Sequence, residues 1–481
     1  MRPAEIALCC LTLTASAILL AGISVPVSAA AVFLVLLCLV TIFHVVYEGH
    51  HWQLLPIYLA VLLAEGVFVI FTIFALGIVS ASVDVAHQPP GRLIFGGIIL
   101  VLTLLSLPLT WLMPMFRLPK PSGACAVGTR LLHMVDANRD AQGGPSGRSQ
   151  RELMVQIWYP AEPVKAKREV YRRLLETTLK SSHHAVLRTQ SLREAPVLAA
   201  DAPYPLLIFN PAWTGQRTQS TFLMQELASH GFIVTSIDHT YYSGLVAFPD
   251  GRVIDSHMAP ALGDFTHLTI AEGIDLANQF VTILAEDVLF VVDELTRLNE
   301  KPEGEWSGKI DSVRIGALGH SIGGAAAAEA CWLDPRIKAA LNLDGWSFGE
   351  VLRNGLSRPW MVVYGKGIEV EPANLHGEPA GIQRYWQMNR ENYAIVSDGL
   401  AGCGGYCVTI QGASHWNFSD RSLYSPLRSK TQAGTIDPRR AHRIISEVAI
   451  AFFRESFSGA KAGLVAEAVR SYPEVEIKAA G

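Results

Sequence analysis

Apolar and polar positions divide this chain near residue 117. Charged residues are scarce over 6–116, and from Arg117 onward they recur at the density of a globular domain. The first stretch breaks into four apolar runs, at about 6–23, 27–46, 54–80 and 93–115. Each has about 18 residues or more, the length an α-helix needs to cross about 30 Å of hydrocarbon. The breaks fall at Ser24-Val25-Pro26, at Glu48-Gly49-His50-His51, and from Val83-Asp84 to Pro89-Pro90-Gly91-Arg92. The pattern predicts an all-α transmembrane region of about four helices in residues 1–118. A cleaved leader is the alternative for the first run, since Arg2, an apolar stretch and Val27-Ser28-Ala29 fit one. The chain passes straight into a second apolar run, which favours an uncleaved helix. Glu65 lies inside the third run, where a carboxylate is costly. A hydrogen bond between helices is the favoured reading of it, over a functional group.

The remainder alternates between two periods. Short runs at 153–159, 204–209, 232–237, 313–318, 337–343, 360–364 and 407–411 read as strands. The run at 153–159 ends at Pro160 and is expected near a sheet edge. Helical spacing appears at 218–230, 271–299, 322–332 and 441–457. Residues 459–481 read as a weakly ordered tail, which leaves 119–458 as one folded domain. Strands alternating with helices imply an α/β fold with a mostly parallel central sheet and helices on both faces.

Composition supports lipid contact and removes other classes. Half of the 481 residues are apolar, and the mean hydropathy is +0.27. The net charge of −4 offers no basic face, so no nucleic-acid partner is expected. Seven cysteines, an odd count, do not read as a disulfide framework. Cys403 and Cys407, in Cys-Gly-Gly-Tyr-Cys, fit no zinc spacing and read as a loop feature. By Lys and Arg placement, Arg2, Arg117, Lys120 and Arg130 share one side and Arg92 lies on the other, which puts both ends of the helical region in the cytoplasm.

Gly319-His320-Ser321-Ile322-Gly323 follows an expected strand and opens an expected helix. A serine on such a turn needs small neighbours, and Gly324 and Ala325 to Ala328 follow. The helix start also places backbone N–H groups beside the reacting atom. A serine hydroxyl needs a general base, and His415 follows the last expected strand. The base needs a carboxylate to hold its tautomer. Asp344 ends the strand after the nucleophile; Glu369, Glu371 and Asp398 are rivals, and Asp287 and Asp293 read as solvated helix-face charges. The oxyanion donors expected are the N–H of Ile322 and that of Ala212 or Trp213, since Pro211 cannot donate.

Four blocks then resemble the platelet-activating-factor acetylhydrolase group of α/β-hydrolases, in its bacterial branch. They are 127–130 (VGTR) with 151–160 (RELMVQIWYP), 206–238 with ASHGFIV at 228–234, 319–348 with LDGW at 343–346, and 414–418 (SHWNF). The resemblance implies an α/β-hydrolase fold and a serine carboxylic-ester hydrolase, which the apolar runs would anchor in a membrane. It would act on short-acyl or lipid-like esters through an acyl-enzyme, without metal or organic cofactor. It implies Asp344 rather than Glu369 or Glu371 as the acid, and Trp213 as the second oxyanion position. Where the group commonly has a His-Gly pair, this chain has Pro211-Ala212, and the helical region has no counterpart in the animal enzymes. Phe222, Trp346, Phe348 and Trp416 are candidates for an acyl pocket, with core packing as the alternative. The expected partners are a small-molecule or lipid ester and membrane lipid, at a bacterial inner membrane. Another ester, a polyester or a thioester on the same triad is the alternative, as is a non-catalytic membrane protein keeping the fold.

Overall fold

A computed structural model describes residues 1–76, 89–141, 150–257, 269–365, 377, 380–403, 405–458 and 463–479. They form two compact units. The first is Met1–Phe116 with Thr177–Leu187 and Tyr424–Leu427, and the second is the rest.

The first unit is built on helices α1 (Pro3–Ala21), α2 (Val27–Phe43), α3 (Leu55–Ala75) and α4 (Pro89–Leu112). The apolar runs containing them give four spans long and apolar enough to cross a membrane. Gly22, at φ 67°, ends α1 in the left-handed conformation and returns its N–H to the Ile18 and Leu19 carbonyls. Leu8, Ala15, Leu37, Ile57, Ala60, Ala64 and Ile99 form the interior, and the small residues among them let helices approach closely. Ser16 Oγ donates to the Gly96 carbonyl at 2.8 Å, joining α1 to α4. Cys38 Sγ donates to Glu65 Oε1 at 3.4 Å, so the half-buried carboxylate does have a partner on the neighbouring helix. Val32, Leu39, Leu62 and Val101 remain exposed, an apolar exterior that water would not favour. A polar knot closes one end: Glu5 accepts from Arg2 Nε and from His51 Nε2 at 3.0 Å, and His44 bridges Glu48 and Tyr58 at 3.0 and 2.9 Å.

The second unit is an eleven-stranded sheet with helices on both faces. Its strands are β1 (Ala126–Asp140), β2 (Gln150–Ala161), β3 (Arg168–Val170), β4 (Arg188–Arg193), β5 (Tyr204–Asn210) and β6 (Ile233–His239). After a two-stranded ribbon, β7 (Val246–Ala247) and β8 (Val253–Ile254), come β9 (Ile310–His320), β10 (Ile337–Leu343), β11 (Trp360–Gly365), β12 (Tyr406–Ile410) and β13 (Val475–Ala479). The order is β13-β12-β11-β10-β9-β5-β6-β2-β1-β4-β3. From β6 to β12 the neighbours run parallel, and these strands are largely buried on both faces, as parallel strands are. The helices are α5 (Thr221–Ser229), α6 (Ile270–Glu300), α7 (Ile322–Leu333), α8 (Glu350–Asn354), α9 (Ala380–Cys403), α10 (Arg428–Thr431), α11 (Pro438–Ser458) and α12 (Leu464–Val469). Val288 and Val292 of α6 share one core with Ala327 and Cys331 of α7 and with Ala317 of β9. The preceding position along β9, Gly316, lies under Phe453 of α11 on the other face, where any side chain would collide.

Several expectations are corrected. The strand ending at Pro160 is interior, between β6 and β1. Pro160 fits because β6 pairs with β2 only over Leu153 to Trp158, so no partner there needs the missing N–H. The tail is ordered where it is described: α12 forms and β13 pairs antiparallel to β12. Asp287 is fully buried, not solvated, because Arg151 and Arg139 both reach it. Asp293 is exposed as expected, and Arg336 pairs with it. Cys403 closes α9 and Cys407 lies in β12, so each belongs to a regular element, and neither forms a disulfide.

Candidate active site

Ser321 stands at the junction of β9 and α7 with φ 59° and ψ −126°. That conformation is strained for a residue with a Cβ, and it is held from all sides. The Ser321 N–H donates to the Leu343 carbonyl at 2.9 Å, at the end of the neighbouring strand β10. A methyl group on Gly319 would strike the Gly323 carbonyl, one on Gly323 the Asn210 and Pro211 carbonyls, and one on Gly345 the Ser321 carbonyl. The small residues of the motif are therefore required by contact between three strand ends.

Asp344 directly follows β10, also at positive φ (55°). Its Oδ1 accepts the Gly365 N–H at 2.6 Å, and its Oδ2 lies 2.7 Å from His415 Nδ1. Asn342 fastens the turn by accepting the Gly345 N–H at 2.9 Å. Two residues of α9 pin the segment after this turn. Asn389 accepts from Trp346 Nε1 at 2.5 Å, and Asn392 exchanges bonds of 2.9 and 2.7 Å with the Ser347 backbone. His415 begins a short helical turn after β12. Asn417 closes that turn, accepting the Ser414 N–H at 2.9 Å.

His320 connects the serine to the histidine. It is fully buried, its ring centroid lies 4.5 Å from that of His415, and its Nε2 lies 2.9 Å from the His415 carbonyl oxygen. Burial, and then the neighbouring His415, hold the His320 imidazole well below the usual histidine range.

The Ile322 N–H is the first of α7 and has no acceptor within its own helix. Of the two loop positions considered, Ala212 gives its N–H to Gln219 Oε1 at 3.0 Å, which leaves Trp213 as the candidate donor. The Trp213 ring packs edge-on against Phe280 at 5.6 Å.

The aromatic candidates separate. Trp416 flanks His415 at 5.4 Å, with the Arg421 guanidinium 4.1 Å over its ring. Phe348 packs with Val281 and Ala325, beside Ile322 and Trp346, and so lies near the nucleophile's helix. Phe222 is in the core, stacked on His442 at 3.7 Å. Of the rival acids, Asp398 is exposed on α9, and Glu369 and Glu371 lie outside the described residues. The sequence reading missed Gln219, Asn342, Gly365 and the α9 asparagines, whose partners are distant in sequence or are backbone groups. Gly215, where a Cβ would strike Gln219 Oε1, was the one local sign.

The structure thus brings a strained serine, a carboxylate-bound histidine and candidate backbone donors to the C-terminal ends of β5, β9, β10, β11 and β12. Such a set can support nucleophilic acyl transfer.

A family model described as platelet-activating factor acetylhydrolase, isoform II, matches residues 117–252. A probable 1-alkyl-2-acetylglycerophosphocholine esterase from Arthroderma benhamiae is 28% identical over 152 residues, covering 32% of this chain and 34% of that protein. A bis(hydroxyethyl) terephthalate hydrolase from Streptomyces coelicolor is 26% identical over 184 residues, covering 38% and 46%. The chain therefore spans less than half the length of these two relatives. Among solved structures, a ferulic acid esterase from Streptomyces cinnamoneus matches with a TM-score of 0.60 at 28% identity, covering 75% of this chain and 99% of that one.

Proposed function

We propose that this chain, a platelet-activating-factor-acetylhydrolase-like α/β-hydrolase, is a membrane-anchored serine hydrolase of carboxylic esters. The observation that carries the reading is the hydrogen bond between Asp344 and His415, formed beside a serine held at positive φ. The names of the relatives give an acetyl, a terephthalate and a ferulate group, and the ester link is what they share.

In the proposed reaction, Asp344 holds the His415 Nδ1 proton, which leaves Nε2 to take the proton of Ser321 Oγ. Oγ attacks the ester carbonyl, and the N–H groups of Ile322 and Trp213 receive the developing oxyanion. His415 returns its proton to the leaving alcohol, and an acyl group remains on Ser321. Water, deprotonated by His415, then attacks the acyl-enzyme. The carboxylic acid departs and Ser321 regains its proton. Trp346, Phe348 and Trp416 border the acyl group, which favours short-acyl or lipid-like esters.

The four apolar spans support integration in a membrane, with the hydrolase unit on the cytoplasmic side. Treatment with a fluorophosphonate followed by peptide mass analysis tests the chemistry. The reading requires the label on Ser321, and an unlabelled folded protein overturns it. A reporter joined after Gly481 tests the topology, where an external signal contradicts the cytoplasmic placement.

A further inference from the structure

We infer that Gln219 is a positioning residue whose side-chain amide links the oxyanion loop to the candidate base and dictates which nitrogen of His320 bears the proton. The kinetic part of this inference rests on the ester-hydrolase reading, and the structural part on geometry alone.

Gln219 Oε1 accepts the Ala212 N–H at 3.0 Å, and Gln219 Nε2 lies 2.6 Å from His320 Nδ1. An amide oxygen only accepts and an amide nitrogen only donates. With Oε1 taken by a backbone N–H, Nε2 faces the imidazole, so His320 Nδ1 must be the acceptor. The proton of the neutral ring then sits on Nε2, which donates to the His415 carbonyl at 2.9 Å. Each link determines the next, from Ala212 through Gln219 and His320 to His415. Rotating the amide would set its NH₂ against the Ala212 N–H, donor against donor.

Gln219 itself is buried and clamped. Its carbonyl accepts the Asp420 N–H at 2.8 Å, and Asp420 in turn receives the Thr221 and Phe222 N–H groups at 2.8 and 3.2 Å at the start of α5.

The arrangement bears on charge. His415 becomes an imidazolium during catalysis, and a second imidazolium with its ring centroid 4.5 Å away would oppose it. Gln219 offers His320 a donor at the position where a protonated ring would need an acceptor, so His320 stays neutral. Among the described residues, His415 is the ionisable group facing His320. Asp344 and His320 are those facing His415. Glutamate at 219 would still accept from Ala212, but its second oxygen would call for a proton on His320 Nδ1. Methionine would satisfy neither neighbour.

The test uses the full chain in detergent, as wild type, Gln219→Glu and Gln219→Met. Ring ¹⁵N shifts of the histidines are recorded from pH 5 to 9, with His320 assigned by its loss in His320→Asn. The pH dependence of fluorophosphonate labelling, and kcat and KM on an ester, are measured alongside. The expected wild type has His320 protonated on Nε2 alone. In Gln219→Glu both His320 nitrogens carry protons and the acid limb of the labelling profile moves to lower pH. There kcat falls about tenfold with KM within about twofold, and Gln219→Met loses more. Wild-type His320 protonated on Nδ1, or a Gln219→Glu protein with unchanged spectrum and profile, overturns the inference. A wild type with the expected His320 spectrum that no fluorophosphonate labels counts against the ester reading and leaves the amide relay standing.

Discussion

Asp344 Oδ2 lies 2.7 Å from His415 Nδ1, while Oδ1 of the same carboxylate is held by the Gly365 N–H at 2.6 Å. Asp344 is thus fixed by the next strand before it orients the histidine. An amide here would favour the wrong tautomer of His415. Asp344→Asn is expected to cut kcat by about 10³–10⁴-fold with the fold intact, as read from steady-state kinetics and circular dichroism. A loss under about tenfold would mean that another carboxylate serves His415.

Gly323 is placed against the Asn210 and Pro211 carbonyls with no room for a methyl group. Gly323→Ala must push the nucleophile turn away from the oxyanion loop. Overpacking of this kind costs about 1–3 kcal/mol, and turnover should fall along with the melting temperature. A variant with wild-type activity and melting would show that the two loops are not in contact.

Arg151 and Asp287 form a buried pair, bidentate from Nε and Nη2, with His239 Nδ1 also on Asp287 at 2.9 Å. Burial opposes the Asp287 charge, and Arg151 and His239 overcome this and hold its carboxyl well below the usual range. His239 reaches on to Asn210, at the mouth of the oxyanion loop, at 3.2 Å. Arg151→Leu takes these two charge-assisted bonds from Asp287 and leaves Arg139 and His239 on it, so it should cost about 1.5–3 kcal/mol in denaturant unfolding. A loss below about 1 kcal/mol would place Asp287 in contact with water.

Burial pushes the His442 imidazole, stacked on Phe222, down to about 3. An unfolded histidine titrates near 6.5. Below about 6.5 the unfolded chain binds a proton that the folded chain refuses, so this group's contribution to stability falls as pH drops from about 6.5 toward 3. The slope is at most about 1.4 kcal/mol per pH unit. Melting temperatures of wild type and His442→Gln between pH 7 and 5 isolate it, because other titrating groups are common to both. The variant should lose less on acidification; equal slopes would mean that His442 takes up a proton in the folded protein.

The features legible in sequence were those with a local cause. The strand-helix junction around Ser321 is legible because its small residues leave a compact mark. Asp344 and His415 follow from strand order. Asp287 was misread because a charge on an amphipathic helix looks solvated until its partner is known, and Arg151 lies 136 residues away. Phe222 shows that an aromatic residue near a site does not announce whether it faces core or ligand. Helix α9 was missed because its polar residues, Asn389 and Asn392 among them, act by holding the Trp346 side chain and the Ser347 backbone, which leaves no apolar period to read. Strand β13 escaped because a short, charged edge strand takes its order from pairing with β12.

The most direct measurement is hydrolysis of p-nitrophenyl esters, acetate through decanoate, by the detergent-solubilised protein and its Ser321→Ala variant. The account predicts turnover by the wild type, strongest on the short chains, and a fall to background in the variant. Equal activity in the two proteins, or none in either with the fold intact, would contradict it.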